Sequence, residues 1–248
     1  MPSVLLVHGA WHGAWCWGPL QTSLSALGVD SVALDLPGHG YRRRLSWMVR
    51  WRAYIDAVHD AVAQYDVPPI VVGHSMGGGV ISGAAELAPE LFGALVYIAA
   101  FVPLDGESIS DLAKTEPPAP GLKPRLSRGE VYYEPDDASS LFFHDVPDAG
   151  SWGAMVQPQP IRPVRTPIRL TSGRYGSVPR YYVACNSDRA LSPAFQQRMI
   201  DRTPMRRVFR MESGHSPFLS DPQRLAAILE EIIDGIGADG ARPHWVPR

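Results

Sequence analysis

Cysteine is nearly absent from this chain, which has only Cys16 and Cys185 in 248 residues. Two distant cysteines form neither a disulfide framework nor a metal-ligand cluster, so we expect reduced thiols in the core and no bound metal. An excess of charge is also absent, because 23 basic residues face 25 acidic ones and the formal net charge is −2. This balance gives no general reason to expect nucleic acid or an anionic membrane as a partner.

Long apolar runs are missing too. No stretch approaches the ~20 apolar residues of a membrane span, and the N-terminus lacks the basic segment and cleavage site of a signal peptide. We therefore expect a cytoplasmic protein that does not associate with membranes. The length and the 45% of hydrophobic residues suit one large α/β domain, alone or with an insertion.

The sequence does contain an alternation of buried strands and amphipathic helices. The strand segments are short and apolar, as is typical of strands covered on both faces. Alternation with short connections favours right-handed crossovers and a mainly parallel sheet with helices on both faces. The predicted strands cover residues 3–8, 29–34, 69–72, 95–100, 180–185 and 207–211.

Residues 101–167 break this alternation, with 11 of the 24 prolines and only short apolar runs. A structureless loop of this length is uncommon in a compact domain, so we predict a cap inserted after the fourth strand. The core then comprises residues 1–100 and 168–237, and residues 238–248 form a flexible tail. The elements predicted inside the cap are helices near Ser110–Lys114 and Ala138–Phe142 and a strand at Glu130–Tyr133.

The most informative stretch is Gly73-His74-Ser75-Met76-Gly77, between a predicted strand and a predicted helix. Its spacing is that of a nucleophile elbow, in which the serine occupies the apex of a tight, strained turn. Glycines on either side remove side chains that would collide there. The Met76 N–H lies at a helix N-terminus, where a developing oxyanion is stabilised. An ordinary strand-to-helix turn is the alternative, so the interpretation requires further catalytic groups.

A nucleophilic serine needs a base to accept its proton and a carboxylate to orient that base. In sheets of this kind the order along the chain is serine, acid, histidine, each in a loop after a strand. We predict His215, after the last strand, as the base and Asp188, after the penultimate strand, as the acid. Asp105, after the fourth strand, is the main alternative acid, and Asp35 is a more remote one.

The loop after the first strand should supply a second oxyanion donor. The backbone N–H of Ala10 fits this role, with Trp11 beside it. A triad with two N–H donors is the equipment for ester cleavage and requires no metal or organic cofactor.

Five arginines and no acidic residue lie between Gly38 and Ile55, which makes Arg42–Arg52 a basic stretch. We favour a solvated face as its interpretation. The alternative is a positive rim that steers an anionic substrate, because loops after parallel strands lie at the active-site edge of the sheet.

Five segments together resemble the α/β-hydrolase superfamily. They are most similar to its branch of plant methyl esterases (salicylic-acid-binding protein type), hydroxynitrile lyases and small bacterial carboxylesterases. The resemblance covers nearly the whole chain. The segments are VLLVHGAWHGAWCW at 4–17, DLPGHG at 35–40, GHSMGG at 73–78, VACNSD at 183–188 with Phe195-Gln196, and SGHSPF at 213–218.

The resemblance implies an α/β-hydrolase fold with a six-stranded, mainly parallel sheet. It also implies a Ser75–Asp188–His215 triad and oxyanion donors at Ala10 and Met76. Hydroxynitrile lyases of this branch carry a lysine after the catalytic histidine and a threonine in the oxyanion loop. Here those positions hold Ser216 and Ala10, which argues against cyanohydrin cleavage.

We therefore predict a serine esterase that cleaves a carboxylic ester of a small organic molecule through an acyl-enzyme. A lactone or thioester hydrolase of a biosynthetic pathway is an alternative within this class. A hydroxynitrile lyase and a non-catalytic receptor on the same fold are alternatives outside it. A homodimer is left open. The candidate substrate-binding residues are Trp11, His74, Phe142 and Trp152.

Overall fold

The computed structural model describes residues 3–42, 44–117 and 119–238. Arg43 of the basic stretch and residues 239–248 of the predicted tail lie outside the described residues. The last described helix ends at Ala238, the first residue of that tail.

A six-stranded sheet forms the centre of the molecule, and all of its neighbouring strands run parallel, as predicted. The strands of the described chain are β1 (Val4–Val7), β2 (Ser31–Leu34), β3 (Ile70–His74), β4 (Ala94–Ile98), β5 (Lys123–Arg125), β6 (Glu130–Tyr132), β7 (Gln159–Pro160), β8 (Arg180–Cys185) and β9 (Arg207–Met211). The large sheet has the order β2-β1-β3-β4-β8-β9. Strands β8 and β9 have the predicted bounds, whereas β3 and β4 differ from them by one or two residues at an end.

Helices cover both faces of this sheet. The helices of the described chain are α1 (Gly18–Ala26), α2 (Trp51–Val62), α3 (Met76–Leu87), α4 (Ile109–Ala113), α5 (Pro135–Phe142), α6 (Ala149–Met155), α7 (Ile161–Val164), α8 (Pro193–Arg202), α9 (Pro217–Ser220) and α10 (Pro222–Ala238). Successive residues of a strand point to opposite faces. In β3, Val71 packs in one apolar cluster with Tyr54 of α2 and Val80 of α3, and Val72 packs in a second with Leu20 of α1. The predicted α/β-hydrolase architecture is therefore observed.

The segment between β4 and β8 contains a second, three-stranded antiparallel sheet of β5, β6 and β7, together with helices α4 to α7. The two short helices and the strand predicted inside residues 101–167 correspond to α4, α5 and β6. Strands β5 and β7 and helices α6 and α7 were not predicted, because they are too short to show a periodic pattern.

The two cysteines, Cys16 and Cys185, are buried free thiols. Among the described helices, none combines the length and the hydropathy needed to cross a lipid bilayer.

Candidate active site

The turn between β3 and α3 places Ser75 in a backbone conformation that side chains rarely adopt, with φ 52° and ψ −121°. The flanking glycines permit this turn. A Cβ atom on Gly73 would lie 2.7 Å from the Gly77 carbonyl oxygen, and one on Gly77 would lie 2.7 Å from the Val7 carbonyl oxygen. Such a strained residue costs about 1–3 kcal/mol and persists only where surrounding contacts enforce it. The tight turn predicted from the pentapeptide is observed.

His215 and Asp188 form a buried pair at the ends of β9 and β8. The Nδ1–H of His215 donates to Asp188 Oδ2 at 2.8 Å, and both side chains are almost completely excluded from solvent. Asp188 Oδ1 accepts hydrogen bonds from the backbone N–H groups of Ala190 (2.7 Å) and Leu191 (2.9 Å). Because a buried carboxylate needs such donors, its orientation is set by these two N–H groups together with Gln196 Nε2–H, which donates to Oδ2 at 3.2 Å. The pairing leaves His215 Nε2 available as a proton acceptor.

The two alternative acids have other partners. Asp105 Oδ1 accepts the Leu170 N–H at 3.0 Å and lies 3.5 Å from Arg169 Nε. Asp35 accepts the N–H groups of Ala14 (2.6 Å) and Tyr41 (2.9 Å) and so shapes a loop. Of the three candidates, Asp188 is the one that contacts His215.

A cavity of about 620 Å³ brings the remaining candidates together, since Ser75, His215, Ala10 and Met76 all line it. The loop that carries Ala10 lies directly against the elbow, because a Cβ on Gly9 would be 2.8 Å from Ser75 Cβ. Met76 opens α3, so its N–H has no partner inside that helix. Both backbone groups predicted as oxyanion donors therefore belong to residues of the cavity wall beside Ser75.

A family model described as the alpha/beta hydrolase family matches residues 4–228. The chain belongs to this family. It is 32% identical to "Putative methylesterase 14, chloroplastic" of Arabidopsis thaliana, over 92% of this chain and 71% of that protein. It is 29% identical to "Methyl jasmonate esterase 1" of Vitis vinifera, over 93% of this chain and 96% of that one.

Among solved structures, polyneuridine aldehyde esterase superimposes with a TM-score of 0.86, over 94% of this chain and all of that one. Its sequence identity is 24%, so it shows the fold. The esterase relatives make this hydrolase a carboxylic ester hydrolase. Some of these relatives are named as chloroplastic, so a cytoplasmic location stays a prediction.

His74 was predicted as a substrate-binding residue of this hydrolase, and the structure places it behind the cavity wall. Its ring is fully buried and does not line the cavity. Instead, its Nε2–H donates to the His215 carbonyl oxygen at 2.9 Å, and the two rings lie 4.5 Å apart. Burial lowers the pKa of His74 well below its ordinary value, which keeps the ring neutral. His74 thus joins the elbow to the loop that carries His215.

The three aromatic predictions divide in the same way. Trp11 and Phe142 line the cavity, with ring centroids 5.6 Å apart. Trp152 does not line it and stacks on Trp15 at 6.0 Å instead. Aromatic content in a segment thus indicates packing but does not identify the neighbour of each ring.

Several wall residues were not predicted from the sequence. Tyr133 lies edge-on to Trp11 at 5.0 Å and to Phe142 at 5.2 Å, which completes an aromatic corner of the cavity. Lys114 and Arg165 also line the wall. No periodic or motif signal marks these positions, because they meet Ser75 only through the fold of the inserted segment.

The basic stretch does not contribute to this wall. Arg42, Arg44, Arg50 and Arg52 are exposed and absent from the cavity lining. Arg52 pairs with Asp56 at 2.6 Å on the surface of α2. These observations agree with the solvated-face interpretation for the described arginines. In the described chain, no group of three or more His, Cys, Asp or Glu side chains could hold a metal ion.

Proposed function

We propose that this hydrolase cleaves a carboxylic ester of a small organic molecule through an acyl-enzyme formed on Ser75. One observation carries the proposal: His215, bonded to buried Asp188 at 2.8 Å, lines the same cavity as strained Ser75. A base, its orienting acid and a serine that lines the same cavity as the base are what acyl transfer requires.

The first half of the reaction forms the acyl-enzyme. Ser75 Oγ attacks the ester carbonyl carbon while His215 Nε2 accepts the hydroxyl proton. Asp188 holds the opposite ring nitrogen and stabilises the imidazolium. The N–H groups of Ala10 and Met76 donate to the oxyanion. When the tetrahedral intermediate collapses, the proton on His215 passes to the departing alkoxide, and the alcohol leaves.

The second half reverses these roles with water. His215 removes a proton from water, whose oxygen attacks the acyl carbonyl carbon. When the second tetrahedral intermediate collapses, the bond from the acyl carbon to Ser75 Oγ breaks, His215 returns its proton to Ser75 Oγ, and the carboxylic acid is released. The proposed sequence uses only the ester, one water molecule and residues of this chain.

The cavity wall favours an apolar ester. A volume of about 620 Å³ lies within the usual range for small-molecule sites. The wall beside Ser75 is formed largely by aromatic and aliphatic side chains, among them Trp11, Tyr133, Phe142 and Leu191. Because relatives are named as methylesterases, methyl esters with an apolar acyl group are the first substrates to test.

The decisive variant is Ser75→Ala. We expect hydrolysis of nitrophenyl and methyl esters to fall by about 10⁶-fold, as with other serine nucleophiles. Ser110→Ala is the matched control, because Ser110 lines the same cavity away from the elbow and should keep its activity. A fluorophosphonate should label the wild-type protein on Ser75, as mapped by mass spectrometry. Wild-type turnover in Ser75→Ala, or a label on another residue, contradicts the proposal, and absent turnover by the wild-type protein favours a receptor.

A further inference from the structure

The cavity opens to solvent on the side away from Ser75. Its lining includes buried residues beside the elbow, such as Met76 and His215, and exposed residues on the inserted segment. The exposed residues therefore mark the opening, which lies beside α4 and α7 and includes Pro117 and Leu122. They are Ala113, Lys114, Pro117, Leu122 and Arg165.

Three side chains that carry a full charge line this cavity, and two of them are neutralised. Lys114 Nζ lies 3.2 Å from Asp111 Oδ1 on the same helix. Glu116 forms an ion pair with Arg198. The guanidinium of Arg165, by contrast, has no hydrogen bond or ion pair with any residue in the described ranges. The opening thus carries one uncompensated positive charge.

The backbone holds Arg165 at this place. The residue directly follows α7, and its N–H continues the turn by donating to the Pro163 carbonyl oxygen. The start of α7 is anchored as well, because the Ile161 N–H donates to the Gly129 carbonyl oxygen at 2.9 Å. Ile161 and Val164 extend the apolar wall up to the guanidinium. A guanidinium beside apolar surface binds carboxylates well, because it offers a planar fork of donors and is weakly hydrated.

We propose that Arg165 binds a carboxylate at the end of the substrate remote from the ester. Resting on the function proposed above, this narrows the substrate class to monoesters of dicarboxylic acids with an apolar linker. The ester carbonyl would lie at Ser75, the linker against the apolar wall, and the free carboxylate at the opening. The same geometry explains why the wall is apolar for most of its length and cationic only at its rim.

The test compares two series of methyl esters of increasing chain length. One series consists of monomethyl esters of straight-chain dicarboxylic acids, and the other of neutral methyl alkanoates of matched length. For the wild-type enzyme we expect kcat/KM of the monoester to exceed that of its neutral partner about 10-fold at the best length, as for one charge-assisted hydrogen bond. Shorter monoesters should lose this advantage, because their carboxylate does not reach the opening.

Arg165→Gln should remove the advantage by raising KM for the monoester about 10-fold. Its kcat for neutral esters should stay within about 2-fold of wild type, because the side chain is remote from the reacting atoms. Arg162→Gln is the matched control, since Arg162 is an exposed arginine of α7 that does not line the cavity. It should leave both series unchanged, which separates a local contact from general electrostatic steering.

Three results would overturn this inference: equal kcat/KM for the two series in the wild-type enzyme, an equal loss in Arg162→Gln, or a loss on neutral esters in Arg165→Gln as large as that on monoesters. None of them touches the assignment of Ser75, which is tested by Ser75→Ala on the neutral series. The two proposals therefore fail separately.

Discussion

Two regions hold their residues in place by different means. One is the edge of the large sheet at the carboxyl ends of its strands, where Ser75 lies, and the other is the segment between β4 and β8. At the edge, backbone atoms approach so closely that a Cβ on Gly77 would lie 2.7 Å from the Val7 carbonyl oxygen. In the segment, aromatic rings carry the contacts, as where Phe142 meets Tyr133 at 5.2 Å. Backbone contacts allow no exchange of side chains, whereas apolar packing tolerates exchanges of similar volume. We infer that the edge is suited to conserve the chemistry and the segment to vary the substrate.

The largest expected effect breaks the edge itself. In Gly77→Ala, the new methyl group would lie 2.7 and 2.8 Å from the carbonyl oxygens of Val7 and His8. These oxygens belong to the end of β1, so they can move away only if β1 moves. We expect loss of esterase activity and a loss of about 3 kcal/mol or more in the free energy of unfolding, measured by urea denaturation.

Gly150→Ala is the counterpart in the segment. Nothing lies within 4 Å of a Cβ at Gly150 in α6, so alanine should be tolerated and should favour the helix by up to about 1 kcal/mol. Equal losses of stability in Gly77→Ala and Gly150→Ala would refute the proposed difference between the two regions.

A loss of catalysis without a comparable loss of stability should separate two aspartates after strands of the sheet. Asp188→Asn should lower kcat by about 10⁴-fold with little loss of stability, because the amide no longer favours the tautomer that leaves Nε2 free. Asp105→Asn should leave kcat unchanged, because its oxygen can still accept the Leu170 N–H. The measurements are kcat for ester hydrolysis by both variants and thermal unfolding, which checks that both variants are folded. A comparable fall of kcat in Asp105→Asn would show that the acid was assigned to the wrong strand.

The smallest effect concerns His12, which lies at the contact between the two regions. Its ring is 5.4 Å from that of His74 at the elbow and 5.5 Å from that of Phe142 in the segment. Burial lowers the pKa of His12 from 6.5 to about 3, although its Nδ1–H donates to the Ala10 carbonyl oxygen. The folded state therefore keeps His12 neutral, while the unfolded state binds a proton below its ordinary pKa.

Stability should consequently fall as the pH drops from 6.5 toward 3, by up to about 1.4 kcal/mol per pH unit for this residue. Urea unfolding at about pH 7 and about pH 5 measures this slope. His12→Gln should make the slope shallower by that amount. His59→Gln, on the partly exposed surface of α2, should not. Identical slopes in wild type and His12→Gln would mean that this ring does not contribute to the pH dependence of the free energy of unfolding.

The limits of prediction follow the same division between local and distant contacts. The bounds of β8 and β9, the strained turn at Ser75 and the contact of His215 with Asp188 were all anticipated from the sequence. The positions of His74 and Trp152 were not anticipated, since their rings lie against His215 and Trp15 and do not line the cavity. Composition indicated that these rings are buried, but burial does not identify the surface that covers them.

By itself, the sequence determined the alternation of strands and helices and the elbow, because apolar periodicity and the missing Cβ of glycine act over a few residues. Only the tertiary structure decided which rings surround the cavity. It also decided that Arg165, and none of the described arginines of the basic stretch, reaches the opening. These choices depend on side chains far apart in the chain that meet only when the inserted segment folds over the sheet edge.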